Sequence, residues 1–230
     1  MLFSILQGGS ITEIVISLLI TLPIILFALS IHEAAHGWVA WKCGDNTAYN
    51  LGRLTLNPLK HLDPIGTLCM LLIGYGWANP VPVNTRNFRN HKRGMALTAA
   101  AGPAANMLVG IFSAIGAGVL LGLTAVITFP NELIWNVYRW AYTFFAYSSM
   151  LNFTYMIFNL IPLPPFDGSR IAYVFLPDRI YFGVMRYERQ ILMGVLIAML
   201  ALSNFTSFSF GALGEKLTVL IENIVIQIIL

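Results

Sequence analysis

From Ile14 to Ile31 the chain runs eighteen residues without a charge, and it then places His32-Glu33-Ala34-Ala35-His36 in the same apolar stretch. Eighteen helical residues rise about 27 Å, close to the thickness of a bilayer's hydrocarbon core. Such a run is expected to span a membrane. Composition agrees: 57% of the 230 residues are hydrophobic and 10% are charged, with mean hydropathy +0.75, where soluble domains carry about 25% charged residues. The expected answer is a membrane protein.

In a helix, residues four apart share a face, so the imidazoles of His32 and His36 point the same way. Zinc takes its first two nitrogen ligands from this arrangement. Glu33 falls about 60° round the helix from His36, near enough to take a proton from a water whose pKa a metal lowers. With four His and six Glu in the chain, chance supplies about 0.002 matches to His-Glu-x-x-His. Imidazoles and a carboxylate at the end of a spanning helix are also costly unless paired or metal-bound.

Other features exclude function classes. Cys43 and Cys69 lack C-x-x-C spacing, so neither a disulfide framework nor a thiolate zinc site is indicated, and both read as small buried residues. Met1–Gln7 has no basic n-region of a cleaved leader. The net charge of +3 says little by its total. No internal repeat, low-complexity tract or nucleic-acid motif is present.

Taken in order, Ser10-Ile11-Thr12-Glu13 has the form of a capping box, and a first span is expected over residues 14–41, with Pro23 kinking it. Residues 42–94 are irregular. They hold an apolar stretch, Ile65–Ala78, too short for a comfortable crossing, with Asp63-Pro64 as its N-cap and N1, followed by extended or edge-strand chain at Asn79–Val83. A re-entrant segment fits, since irregular backbone at membrane depth survives only beside protein or water. A second span is expected over 95–129, opening with the small residues Ala99, Ala100, Ala101, Gly102, Ala104 and Ala105, which permit close helix approach. Pro130–Asn136 reads as a loop and 138–163 as a third span, broken by Pro162, Pro164 and Pro165. Ser169–Arg189 reads as a basic loop, and 190–230 as C-terminal helices, the last apolar piece being Leu217–Leu230.

Eleven of the thirteen Lys and Arg lie in Lys42–Arg93 and Arg170–Arg189, which places both loops on the cytoplasmic side. The fold class is therefore an all-α polytopic membrane protein. It is one domain over residues 1–230, a bundle of about four to six transmembrane helices with a re-entrant helix/β-strand segment on the cytoplasmic side. A catalytic zinc keeps three protein ligands and an open position. Candidates for the third ligand are Asp45, Asp63, His61, His91, Asp167 and Asp178. Of these Asp167 sits on a broken helix end returning to the right depth, whereas Asp63 is explained as a cap, Asp45 and Asp178 as solvated charges, and His61 as a snorkelling loop residue.

The combination His32-Glu33-x-x-His36, Gly102-x-x-x-Asn106 and Asn159-x-x-Pro162-x-Pro164-x-x-Asp167-Gly168 resembles the site-2 protease family of intramembrane zinc metalloproteases, and Gly52–Pro58 resembles its compact prokaryotic members without a PDZ domain. The resemblance implies one Zn²⁺ per chain on His32, His36 and Asp167, with Glu33 as general base. It also implies Asn159 beside the scissile carbonyl as an oxyanion donor, and Asn106 as a lesser substrate or oxyanion residue. Intramembrane proteolysis is then the expected function. The substrate would be a transmembrane protein or peptide in the lipid bilayer, the location the prokaryotic inner membrane, and the site would face the cytoplasm. Nucleic acid is not an expected partner. A metal-ion transporter or non-proteolytic metal-binding membrane protein is the alternative; it leaves Glu33 unexplained, and the paired halves common in transporters are missing.

Overall fold

The structure, a computed structural model, describes residues 11–66, 78–205 and 210–230. Four long helices carry it: α1 (Ile11–Lys42), α3 (His91–Leu123), α4 (Glu132–Asn159) and α8 (Phe210–Ile229). Between them lie the short helices α2 (Thr47–Asn50), α5 (Asp167–Ala172) and α6 (Asp178–Met185), and the longer α7 (Glu188–Phe205). No strand forms among the described residues; a single antiparallel bridge joins Leu62 to Ala78. Among the described residues two helices, Val15–Lys42 within α1 and His91–Leu123, are long and apolar enough to cross a membrane. Their outward residues, such as Leu19, Leu108 and Phe112, are apolar and exposed.

Helix ends follow local caps more closely than hydropathy. α3 starts four residues before Met95 because the Asn90 side chain accepts from the Arg93 N–H at 3.0 Å, satisfying an orphan donor of the first turn. It ends at Leu123, short of the expected Phe129. The expected Pro130–Asn136 loop is shorter, since Asn131 caps α4 by accepting from the Ile134 N–H at 2.9 Å. The expected Ser169–Arg189 loop contains α5, a 3₁₀ turn (Tyr173–Phe175) and α6, organised around the buried and contacting rings of Tyr173 and Tyr181. Pro23 and Pro103 both lie inside continuous helices. The capping box at Ser10 and most of Ile65–Ala78 lie outside the described residues, as does Cys69; Asp63 does cap its helix, accepting from the Gly66 N–H at 2.7 Å. Cys43 is half-buried.

The bundle closes on small residues. α3 packs against α1, α4 and α8, and α4 against α1 and α8. A Cβ on Gly110 would meet the Phe153 ring at 2.9 Å, and one on Gly118 would meet Val225 Cβ at 2.9 Å and Glu222 Cα at 3.1 Å. Bare α-carbons here let the helices approach closely. Polar side chains cross the same seams: Ser113 and Ser148 are hydrogen-bonded at 2.9 Å, and Ser149 and Thr218 at 2.9 Å.

Candidate metal centre

His32 and His36 sit one turn apart on α1, and both imidazoles are turned into the α1–α3 seam. Each ring is fixed through Nδ1. His32 donates its Nδ1–H to the Asn106 side-chain oxygen at 2.6 Å, and His36 donates its own to the Thr98 carbonyl at 2.7 Å. The Asn106 amide is oriented by its other end, whose nitrogen donates to Asn152 Oδ1 at 2.8 Å and the Ala28 carbonyl at 3.2 Å. Asn152 in turn donates to the Ser148 carbonyl at 2.8 Å. With the proton on Nδ1 in both rings, each Nε2 presents a lone pair. These partners set tautomer and angle, as outer groups do around metal-binding histidines.

Asp167 reaches the rings from a different part of the chain. α4 ends at Asn159, and the prolines at 162, 164 and 165 prevent the helix from continuing. The turn closes with the Leu163 N–H on the Ile161 carbonyl (2.8 Å) and the Phe166 N–H on the Leu163 carbonyl (3.0 Å), and Asp167 then opens α5. Gly168 is required by space: a Cβ would run into the backbone of Leu160 and Ile161. Asp167 Oδ2 lies 3.1 Å from His32 Nε2 and 3.1 Å from His36 Nε2, and the two Nε2 atoms are 3.0 Å apart. All three residues are buried.

This triangle fits a metal ion. Ligands held tetrahedrally at 2.0–2.1 Å are separated by about 3.3 Å, close to the observed edges. Two imidazole nitrogens and a carboxylate oxygen converge on one point, an arrangement that a bound cation stabilises. Gly102 supplies the room, since a Cβ there would lie 2.5 Å from His36 Nε2 and 2.6 Å from His32 Nε2. Two imidazoles and a carboxylate are a donor set suited to zinc.

Of the other candidates for a third ligand, Asp45 is fully buried and accepts from Thr47, Asn84 and Asn87; the solvated charge expected there is a buried staple. His61 is also buried, not snorkelling, and its Nε2 bonds the Thr55 carbonyl at 2.8 Å. His91 bonds the Thr85 carbonyl at 3.0 Å. Glu33 is half-buried and accepts the Val81 N–H on Oε2 at 2.8 Å. Asn106 contacts the His32 ring, with both ends of its amide engaged within the bundle. Asn159 donates to the Tyr155 carbonyl at 3.0 Å and makes no described hydrogen bond to the triangle. Sequence reasoning missed Gly102 as a neighbour of the rings, and also Thr98, Val81 and Asn152. Thr98 and Val81 act through backbone atoms that no side-chain pattern marks, but Asn152, an amide inside an apolar span, was a readable signal.

Comparison with known proteins agrees with this chemistry. The chain is similar to the "Putative zinc metalloprotease YwhC" of Bacillus subtilis (strain 168), 41% identical over 153 residues, which is 66% of this chain and 67% of that protein. It is similar also to the "Putative zinc metalloprotease Rip2" of Mycolicibacterium smegmatis, 31% identical over 148 residues (62% of this chain, 52% of that protein). The protein of that name from Mycobacterium tuberculosis H37Rv is 30% identical over 149 residues, with the same shares covered. The match spans about half the length of the mycobacterial relatives. No family model matches the chain, and no solved structure does.

Proposed function

Because the chain belongs to the site-2 protease family of zinc metalloproteases, we propose that it is an intramembrane protease hydrolysing peptide bonds within or near transmembrane segments of membrane-protein substrates. The observation that carries this reading is the convergence of His32 Nε2, His36 Nε2 and Asp167 Oδ2, each within 3.1 Å of the other two, with Glu33 next to the first of them in the chain. His32, His36 and Asp167 would hold one Zn²⁺, which when bound supplies Lewis acidity and lowers the pKa of water. Glu33 takes a proton from the attacking water as its oxygen adds to the scissile carbonyl, and returns it to the nitrogen as the C–N bond breaks. The burial of the triangle excludes bulk water and strengthens each electrostatic contact there. Asn159, at the broken end of α4, is the proposed donor to the developing oxyanion.

A substrate helix hides its carbonyls, so cleavage needs a locally extended strand. The extended chain at Asn79–Val83 could receive it by strand pairing. Hydrogen bonds within the protein already use the Asn79 and Val81 N–H groups and the Asn79 and Pro80 carbonyls, which puts any such pairing on backbone from the Val81 carbonyl onward. We place the basic segments, and with them the site, on the cytoplasmic side of a prokaryotic inner membrane, in a bundle of four to six spans with residues 42–94 re-entrant. A transporter or inert metal scaffold would need no carboxylate at Glu33.

The test begins with zinc content, which needs no substrate. Detergent-purified wild type should hold about one zinc per chain, Asp167→Ala close to none, and Glu33→Gln about one. Cleavage of a transmembrane test substrate should then be present in wild type and absent in both variants. Wild type without zinc after reconstitution would overturn the proposal.

A further inference from the structure

We propose that the strap Pro80-Val81-Pro82 positions the general base, with the Val81 backbone N–H as the group that holds Glu33. The proposal rests on the proteolytic reading above and adds a positioning element to it. The strap meets α1 at Glu33 and Gly37. Its Val81 N–H donates to Glu33 Oε2 at 2.8 Å, while the Val81 side chain is buried and would lie 3.1 Å from a Cβ on Gly37. Glu33 and Gly37 are four residues apart and share a face of α1, so Val81 covers both.

Proline on either side fixes the register. Neither Pro80 nor Pro82 has an N–H, so Val81 carries the single amide between Asn79 and Val83. A slip of one residue would present a proline to Glu33 and remove the bond. The strap is also tied at both ends. Upstream, the Asn79 N–H donates to the His61 carbonyl at 2.7 Å, and Arg53 Nη2 donates to the Asn79 carbonyl at 2.8 Å. Downstream, the Asn84 N–H donates to Asp45 Oδ2 at 2.7 Å. A glutamate side chain has three free torsions, and one fixed donor on one oxygen removes most of that freedom. The other oxygen, Oε1, is left for the proton transfer. Orientation of this kind acts on kcat, since a misplacement of about 1 Å can cost a hundredfold in rate.

Two measurements on the full zinc-loaded chain test this. Hydrogen exchange of the single amide between Asn79 and Val83, followed in detergent for wild type and Glu33→Ala, reads the contact without any catalysis. Protection in wild type that falls about tenfold or more in Glu33→Ala is the expected result; equal exchange in both overturns the proposal. In cleavage kinetics, Val81→Pro removes the N–H and should lower kcat about tenfold to a hundredfold with KM and zinc content retained. Val81→Ala keeps the N–H and should lose far less. A loss shared equally by the two variants, or carried in KM, assigns the strap to packing or substrate binding and overturns the positioning role. If wild type cleaves nothing, the protease reading fails, while the exchange result still decides whether the strap holds Glu33.

Discussion

The space above Gly102 is filled by the two rings that point at the candidate metal position. A methyl group there would sit 2.5–2.6 Å from ring atoms of His36 and His32, closer than carbon packs, and both rings are held by their Nδ1 bonds. Gly102→Ala must therefore push the rings out of place or move α3 off α1. The expected outcome is zinc per chain falling from about one to below about half, read by elemental analysis of purified protein. Gly183→Ala is the control, because a Cβ at Gly183 meets nothing within 4 Å, and its zinc content should match wild type. The sequence spoke unevenly at this scale. His32 and His36 were legible because four-residue spacing has one meaning on a helix, and Asp167 because three prolines announce a chain that must turn. The placement of Asn106 was not, since an asparagine four residues after a glycine fits a helix seam, a substrate contact or a prop for an imidazole equally well. The structure shows the seam and the prop together.

The loops between helices hold a buried carboxylate that the sequence reads as solvated. Asp45 accepts from the Thr47 N–H and hydroxyl, the Asn84 N–H and the Asn87 amide, tying the end of α1 to the chain that follows the strap. Burial alone would push its carboxyl up; the hydrogen bonds from Thr47, Asn87 and Asn84 more than offset that and hold it below the usual carboxylate range. Because the folded pKa is depressed, this contribution is complete above the unfolded value of about 3.9 and fades as pH falls through the lower folded value. Asp45→Ala should cost about 1–3 kcal/mol at neutral pH by leaving donors unpaired. The gap in thermal stability between wild type and variant should narrow below about pH 4. The same blindness to partners explains the other misread elements. Charge density made Ser169–Arg189 look like loop, although Tyr173 and Tyr181 bury themselves against each other there. Glu215 and Lys216 held the start of the last apolar piece back to Leu217, although α8 starts at Phe210, and Glu222 inside it is buried where Gly118 allows close approach. Asn90 and Asn131 were visible as caps, and counting hydropathy alone passed over them.

Across the whole molecule, three stretches of sequence far apart in the chain supply the rings, their supports and the carboxylate. His32 and His36 come from α1, Gly102, Thr98 and Asn106 from α3, and Asp167 from the turn after α4, with Asn152 of α4 behind Asn106. An ion at their meeting point would consequently fasten the helices together as well as serve the proposed reaction. Its binding free energy enters the stability of the bundle by mass action, as RT ln(1 + [L]/Kd), or about 2.7 kcal/mol at a hundredfold excess over Kd. Chelation should lower the midpoint of thermal unfolding in detergent, added zinc should restore it, and Asp167→Ala should show no zinc-dependent shift. Loss of the proposed metal would then do more than silence the proposed activity: with zinc scarce the protein would become easier to unfold, and its abundance would track the supply of that ion.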